Sequence, residues 1–205
     1  MYPFSCGSPV LARGKTYQQG QTINTSDLPL VAQEGLLASF IDVDPTTPEI
    51  LRSGELVTCR LVRNTSGIAL LPRRLVTYAA GYGGKRVDGY GATTAVWCAG
   101  VVDEFLPTAG VQNNDLFWIV VAGNTEVLTD LAAAASGTIA EFGTLVCLTA
   151  ATSQCTTAGR VSATALAVTE TALVNQTQNR IGRAMTVSTS SQTNRSRPVK
   201  VNFFF

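Results

Sequence analysis

The centre of the chain reads Asp115-Leu-Phe-Trp-Ile-Val-Val-Ala-Gly123. Asn113 and Asn114 precede this apolar run and Asn124 follows it, and the run is too short to cross a membrane as a helix. Continuous apolar stretches of this length, rich in aromatic and β-branched residues and flanked by turn formers, favour a strand that is buried on both faces. The run therefore predicts the middle strand of a β-sandwich or barrel.

Other short apolar runs repeat along the chain with turn residues between them, which is typical of an all-β fold. One of them is Ala95-Val-Trp-Cys-Ala-Gly-Val-Val, just upstream of the central run. Further strands are predicted over residues 56–63, 68–71, 75–78, 144–148, 160–168 and 199–205. Little helix is expected: one candidate covers residues 28–40, where Gly35 is unfavourable, and another covers residues 129–136.

Composition restricts the class of protein. A chain of 205 residues fits one domain, and its charged fraction of 14% leaves a surface made largely of neutral polar residues, as in extracellular and virion β proteins. Histidine is absent, which removes Ser-His and Cys-His dyads and every imidazole metal ligand. We therefore expect no enzymatic activity and no cofactor.

Prolines divide the chain into two parts. Five of the eight prolines lie in the first 50 residues, where strand signals are short and interrupted. The sequence predicts an extended N-terminal arm over residues 1–54 and one compact β-barrel or β-sandwich domain over residues 55–205. Such an arm should take its order from a surface on which it lies, so removal of residues 2–24 is expected to leave a folded barrel.

Charge is segregated along the chain. Residues 1–86 carry nine basic and six acidic side chains, residues 87–159 carry seven acidic and no basic ones, and residues 160–205 carry six basic and one acidic. Two explanations are open. The opposite charges pair inside one subunit, or they form complementary patches that steer contacts between subunits.

The two ends of the chain are the candidate attachment regions. Val199, Val201, Phe203 and Phe205 share one face of a predicted strand, which either closes the subunit's own sheet or adds to a neighbour's sheet. The candidate interface residues are Tyr2, Phe4, Arg180, Arg183, Arg195, Arg197, Phe203, Phe204 and Phe205. The candidate core residues are Trp97, Val101, Phe117, Trp118, Val120 and Leu145.

Three motifs fail as chemical sites. The glycine-rich stretch over residues 81–91 has Arg86 where a phosphate-binding loop needs Ser or Thr, so a surface loop is expected. The Asp42-Val-Asp44 sequence lacks the glycine and the closing carboxylate of a calcium loop. Asp103 and Glu104 are adjacent and would lie on opposite faces of a strand, which precludes a catalytic carboxylate pair there.

Targeting and cysteine signals are few. The first residues show no signal peptide, and the chain has no apolar stretch long enough for a membrane span, so synthesis in a reducing cytosol is expected without membrane contact. The five cysteines form no metal-binding pattern, and only Cys147 and Cys155 are placed to pair locally. The arginines of the C-terminal region lack interleaved aromatic residues, so nucleic-acid binding is not predicted.

The order of these strands and their glycine corners resembles tailed-phage capsid decoration (cement) proteins over residues 65–190. The segments that carry the resemblance are Gly67-Ile-Ala-Leu-Leu-Pro72, Gly89-Tyr-Gly91, Ala99-Gly-Val-Val-Asp103, the central run to Gly123, Phe142-Gly-Thr-Leu-Val146 and Ile181-Gly-Arg-Ala-Met185. The resemblance implies a small tulip-like β-barrel, commonly a homotrimer, on the outer surface of an icosahedral shell. It also implies that the partner is the major capsid protein and that the protein has no catalytic residues.

A small-ligand or glycan-binding β-barrel, such as a minor virion or tail adhesion component, is the alternative. It would use Trp97, Trp118, Tyr78, Tyr82 and Tyr90 as a stacking surface. Trp118 argues against this function, because a residue in a fully apolar run has no open face for a ligand.

Overall fold

A computed structural model shows a mainly β protein, which confirms the predicted fold class. It describes residues 13–17, 33–44, 51–90, 98–128, 144–147, 161–163, 180–184 and 196–202. The strands of this part of the chain are β1 Leu37–Val43, β2 Leu51–Asn64, β3 Leu75–Thr77, β4 Arg86–Val87, β5 Cys98–Val102, β6 Leu116–Leu128, β7 Thr144–Cys147, β8 Val161–Ala163, β9 Arg180–Ala184 and β10 Ser196–Asn202.

The strands form one sheet whose main path runs β1-β2-β6-β10-β9-β7-β8. Strand β6, which contains the central apolar run, is an interior strand of this path, the third of its seven. Its neighbours β2 and β10 are both antiparallel to it, and β5 also pairs with it antiparallel. The short strand β3 extends the sheet beyond β5, and β4 adds to β2 in parallel.

Strand β6 contains a bulge, and two different strands pair with one of its edges, one before the bulge and one after it. Ala122 lies opposite Thr58 of β2 and Val120 lies opposite Cys59, so Val121 is the extra residue. On the other edge, β5 pairs with β6 before the bulge and β10 pairs with it from Ala122 onward. Gly123 follows the bulge with φ +104°, and a Cβ there would lie 2.8 Å from the backbone oxygen of Leu56. This close approach of β2 requires glycine.

Successive residues of β6 point to opposite faces, yet every residue from Leu116 to Val121 is buried. On one face, Phe117 and Ile119 belong to a hydrophobic cluster. On the other face, Trp118 packs edge-on against Phe40 of β1, with ring centroids 5.3 Å apart. The cluster on the first face contains Val62, Leu70, Val76, Val87, Ala99, Val102, Leu106, Val111, Phe117, Ile119 and Val121.

The helix predicted over residues 28–40 is wrong for its described part, residues 33–40. Gly35 has φ +91° in a turn, and β1 begins at Leu37. Strand β1 pairs with β2 in regular register from Leu37 to Ile41. Its backbone groups therefore hydrogen-bond to β2 instead of within a helix. The second predicted helix, over residues 129–136, lies outside the described residues.

Residues 13–17 belong to the folded sheet. Tyr17 exchanges backbone hydrogen bonds with Leu116 at the start of β6, and the side chains of Arg13 and Tyr17 are buried. The expectation of an arm ordered only by another surface therefore does not hold for these residues. The boundary at residue 54 stays a prediction, although β1 and the first residues of β2 precede it.

The C-terminal strand closes the subunit's own sheet as far as Asn202. Val199 lies opposite Thr125 and Val201 opposite Gly123, both in β6. Of the two alternatives for this strand, pairing within the subunit is the one found for residues 196–202. Residues 203–205 lie outside the described part of the chain.

Candidate functional site

A buried ion pair joins the N-terminal segment to the end of β5. Asp103 is fully buried, and it accepts hydrogen bonds from Arg13 Nη2 at 2.9 Å and from the backbone N–H of Gly14 at 2.9 Å. The Arg13 guanidinium also lies 4.9 Å from the centroid of the Phe105 ring. Burial lowers the pKa of Arg13, but the attractions of Asp103, Cys59 and Glu104 and the hydrogen bond to Asp103 together outweigh this effect, and the pKa is raised above its ordinary value.

A second carboxylate holds two arginines. One oxygen of Glu34 accepts from Nε of Arg63 in β2, and the other accepts from Nε of Arg86 in β4 at 3.2 Å. Arg63 is buried and also donates to the backbone oxygen of Asn114. Through Glu34, the turn before β1 is therefore fixed to β2 and β4.

Ion pairs within the subunit account for many of the opposite charges among the described residues. The acidic segment 87–159 is paired with basic residues from the first part of the chain: Asp103 with Arg13, and Glu126 with Arg73 at 3.2 Å. Asp115 lies near Arg63, although burial raises the pKa of Asp115 more than that arginine lowers it. For these residues, the opposite charges meet inside one subunit.

The largest apolar exposure in the described residues is on the β1–β2 hairpin. Leu37, Ile41 and Leu56 are 46%, 56% and 65% exposed, and Ile41 lies directly opposite Leu56. Ser39 and Thr58 lie between them, with their hydroxyl oxygens 3.3 Å apart. We call this surface the β1–β2 face and define it by Leu37, Ser39, Ile41, Leu56, Thr58 and Arg60.

Arg60 connects the β1–β2 face to a glycine-rich loop. It lies opposite Leu37 in the register, and its guanidinium is 5.7 Å from the Tyr78 ring centroid. Its Nη1 donates to the backbone oxygen of Gly84 at 3.4 Å, and a Cβ at Gly84 would come within 2.5 Å of that nitrogen. Gly84, with φ +76°, thus lets the loop lie against Arg60.

The same loop presents an exposed aromatic ring. Tyr82 is 46% exposed, and the guanidinium of Arg86 lies 4.3 Å from its ring centroid. Because Glu34 holds Arg86 from the other side, the tyrosine rests on an arginine whose position is fixed. Lys85, between them in sequence, is also exposed. We call residues 81–86 the glycine loop.

Four of the six candidate core residues are internal. Val101, Phe117, Trp118 and Val120 are all buried. Leu145 lies in β7, opposite Ala163 and Gly182 in the backbone register, and Trp97 lies outside the described residues.

Three of the candidate interface residues lie in strands that are separated from β1 in the sheet order. The others lie outside the described residues. Arg180 and Arg183 lie in β9, and Arg197 lies in β10 opposite Val127. The structure does not bring them next to β1. The remaining ones, Tyr2, Phe4, Arg195, Phe203, Phe204 and Phe205, lie outside the described residues.

The β1–β2 face was not among the sequence-predicted sites. Its signal is present in the sequence, because Leu56 and Val57 are adjacent apolar residues in a strand and must point to opposite faces. Val57 is buried, so Leu56 requires a second cover or remains exposed. Periodicity alone does not show which of the two occurs.

The proposed stacking surface is not assembled. Trp118 is buried in the sheet, and Tyr78 and Tyr90 pack against the hydrophobic cluster. Burial raises the pKa of both tyrosines. Tyr90 is also less exposed than Tyr82. Among the four described members of that set, Tyr82 is the exposed one.

Cys59 is a buried thiol near the Arg13–Asp103 pair. Burial raises its pKa to about 12, more than the attraction of Arg13 lowers it. The thiol therefore stays protonated at neutral pH and packs as a small apolar group. The predicted local pair, Cys147 and Cys155, is not described as a pair, since Cys155 lies outside the described residues.

The described part of the chain shows neither a metal-binding cluster nor a membrane-spanning helix. The described residues contain no group of three or more cysteine, aspartate or glutamate side chains arranged for a metal ion. None of their helical segments has the length and apolar character required to span a bilayer. Asp42 has a structural partner, because it accepts a hydrogen bond from Ser53 Oγ at 2.7 Å.

Comparisons with known proteins give a distant likeness among solved structures. No protein-family model matches the sequence, and no similar curated protein was found. Among solved structures, the chain is similar to the N base of the head fiber gp8.5 in bacteriophage phi29, at 11% sequence identity and a TM-score of 0.37. The match covers 71% of this chain and 94% of the other. A likeness of this degree carries no functional assignment.

Proposed function

We propose that this chain is a non-enzymatic structural protein of a tailed-phage virion. It is made in the host cytoplasm and then lies on the outer surface of an icosahedral capsid. There it bridges adjacent major capsid subunits and stabilises the shell, as a homotrimer and without a cofactor. The resemblance of residues 65–190 to capsid decoration proteins motivates this proposal.

The observation that supports it most is the exposed apolar β1–β2 face. An antiparallel sheet with one covered face normally presents polar side chains to water on its other face. Here Leu37, Ile41 and Leu56 occupy those outward positions, and contiguous exposed apolar residues commonly mark a protein contact. Before β1, the carboxylate of Glu34 is held by Arg63 and Arg86, which suits a scaffold for adhesion.

A co-sedimentation assay tests the proposal. Capsid shells assembled from the major capsid protein of the same phage, free of this chain, are incubated with the purified protein and pelleted. We expect saturable binding at a fixed ratio to shell subunits and a higher temperature of shell disruption with the chain bound. An absence of binding at micromolar concentration, or binding without any gain in shell stability, would contradict the proposal.

The homotrimer is tested separately by sedimentation equilibrium of the free protein, where we expect three times the chain mass. A glycan-binding function keeps one favourable observation, the exposed Tyr82 ring on Arg86. It predicts saturable binding of an oligosaccharide by a protein whose Tyr82→Ala variant does not bind, and no effect on capsid shells.

A further inference from the structure

The β1–β2 face and the glycine loop form one continuous surface. Ile41 and Leu56 occupy one end of this surface. Leu37 and Arg60 lie opposite each other four residues along the strands, about 14 Å from that end at ~3.4 Å per residue. Arg60 then contacts Gly84 of the loop. A single partner surface of ordinary size can cover all of these groups.

The surface carries an excess of positive charge. Arg60, Lys85 and Arg86 lie on it, and Arg63 lies behind it. Against these four cations stand the carboxylates of Glu34, which binds Arg63 and Arg86, and of Asp115 near Arg63. The local balance therefore favours an acidic partner.

A second copy of this chain offers few free carboxylates to such a surface. In the part of the chain that the structure describes, the carboxylates other than exposed Asp88 have partners within the subunit. Asp103 binds Arg13, Glu126 binds Arg73, and Glu55 accepts from Asn124 at 3.2 Å. Within the described residues, Asp88 is therefore the carboxylate that a second copy could present, which favours a different molecule as the source of the complementary charge.

The apolar groups identify the class of that molecule. A nucleic-acid backbone would satisfy the cations but would leave Leu37, Ile41 and Leu56 against phosphates and sugars. A protein surface can cover them and can also pack on Tyr82, and an exposed tyrosine next to partly exposed arginines matches the enrichment of Tyr and Arg at protein interfaces.

From these contacts we infer that the β1–β2 face and the glycine loop together bind an acidic protein surface that has apolar groups at its centre. This inference rests on the proposed function, in which that surface belongs to the major capsid protein. Tyr82 is the aromatic anchor at the loop end of this surface, because Arg86 lies against its ring and Glu34 holds Arg86. Lys85 and Arg60 supply attraction for carboxylates of the partner.

The experiment compares surface variants with matched controls in binding to stripped capsid shells of the same phage. Leu56→Asp and Lys85→Glu alter the inferred surface. Ile68→Asp and Lys15→Glu make the same changes at an exposed apolar residue and an exposed cation elsewhere. Thermal unfolding of every variant checks the fold, and Leu56→Thr is the milder replacement if Leu56→Asp unfolds.

We expect Leu56→Asp and Tyr82→Ala each to raise the Kd for shells by at least about tenfold. Lys85→Glu should lower the association rate and weaken its dependence on salt. The two controls should bind within about twofold of the wild type, as surface substitutions outside an interface do.

The outcomes separate the inference from the function. Wild-type binding with surface variants that bind as well as the controls would overturn the inference and leave the proposed function intact. A wild type that fails to bind shells would overturn the proposed function and, with it, the inference. An oligomer that Leu56→Asp converts to monomers would assign the surface to a second copy, and tight binding of a 30-base-pair DNA duplex that Lys85→Glu abolishes would assign it to nucleic acid.

Discussion

Loss of the buried Arg13–Asp103 pair should destabilise the protein strongly. In Arg13→Met, Asp103 stays fully buried and keeps only the N–H of Gly14 as a described hydrogen-bond donor. An uncompensated buried charge of this kind costs about 3–5 kcal/mol in free energy of unfolding. Urea unfolding followed by tryptophan fluorescence measures the loss as a shift in midpoint at constant slope.

The Arg73–Glu126 pair is the internal control, since both of its side chains are partly exposed. Removing Arg73 should cost no more than about 1 kcal/mol, because solvent screens such pairs. The double variant Arg13→Met/Asp103→Leu should lose less than the sum of its single variants, because it leaves no unpaired charge.

The same experiment tests whether residues 13–17 are part of the folded domain. If Arg13→Met loses less than about 1 kcal/mol, Asp103 is solvated and the docking of this segment on β5 is refuted. If the loss is as large as expected, deletion of residues 2–24 should destabilise at least as much, because it removes Arg13 and the buried Tyr17 together. A deletion variant with unchanged stability would restore the arm as an independent segment.

Three further results are expected. Trp118→Ala should destabilise by about 3–5 kcal/mol in urea unfolding, as other large core truncations do, and an unchanged midpoint would show that Trp118 is not buried. Gly123→Ala should lower the free energy of unfolding by about 2–3 kcal/mol, because φ is +104° there and the added Cβ would meet the Leu56 oxygen. Gly67→Ala, with open space around it, should lower it by only about 1–2 kcal/mol. Equal losses would contradict the close approach of β2. The free energy of unfolding should fall between pH 9 and pH 11, by up to about 1.4 kcal/mol per pH unit from Cys59. Burial raises the pKa of the folded thiol to about 12, whereas the unfolded thiol ionises near 9.0, so rising pH stabilises the unfolded state in this range. Cys59→Ala should show a shallower decline over that range, and identical slopes would exclude the buried thiol as the cause.

The sequence predicts the sheet best where both faces of a strand are apolar. The run from Leu116 to Ala122 needs cover on two sides wherever it lies, so its burial follows from composition and length. Residues 28–40 show the opposite case. Leu30, Leu37 and Phe40 fit a helical spacing, but Phe40 also fits a strand, and only the tertiary contact with Trp118 decides between the two.

The surface features depend on pairings that no local pattern encodes. Arg13 and Asp103 are 90 residues apart, and nothing near either residue identifies the other. The exposure of Leu56 likewise depends on how far along β2 its face is covered, because Val62 on the same face belongs to the hydrophobic cluster. The sequence could therefore predict a mainly β fold, whereas the location of the exposed apolar face required the register of β1, β2 and β6.

The shared edge of β6 also sets an order for folding on the ribosome. Before its bulge, β6 pairs with β5, which is already synthesised, but from Ala122 to Leu128 its partner is β10. Roughly 70 residues separate the end of β6 from Ser196, which takes several seconds to translate at about 5–20 residues per second. During that interval the newly made strand exposes unpaired backbone groups that can recruit a β-strand from another nascent chain. Polysomes carrying this message are thus the place where misassembly between copies is most to be expected, and slower translation of the last third of the gene should increase it.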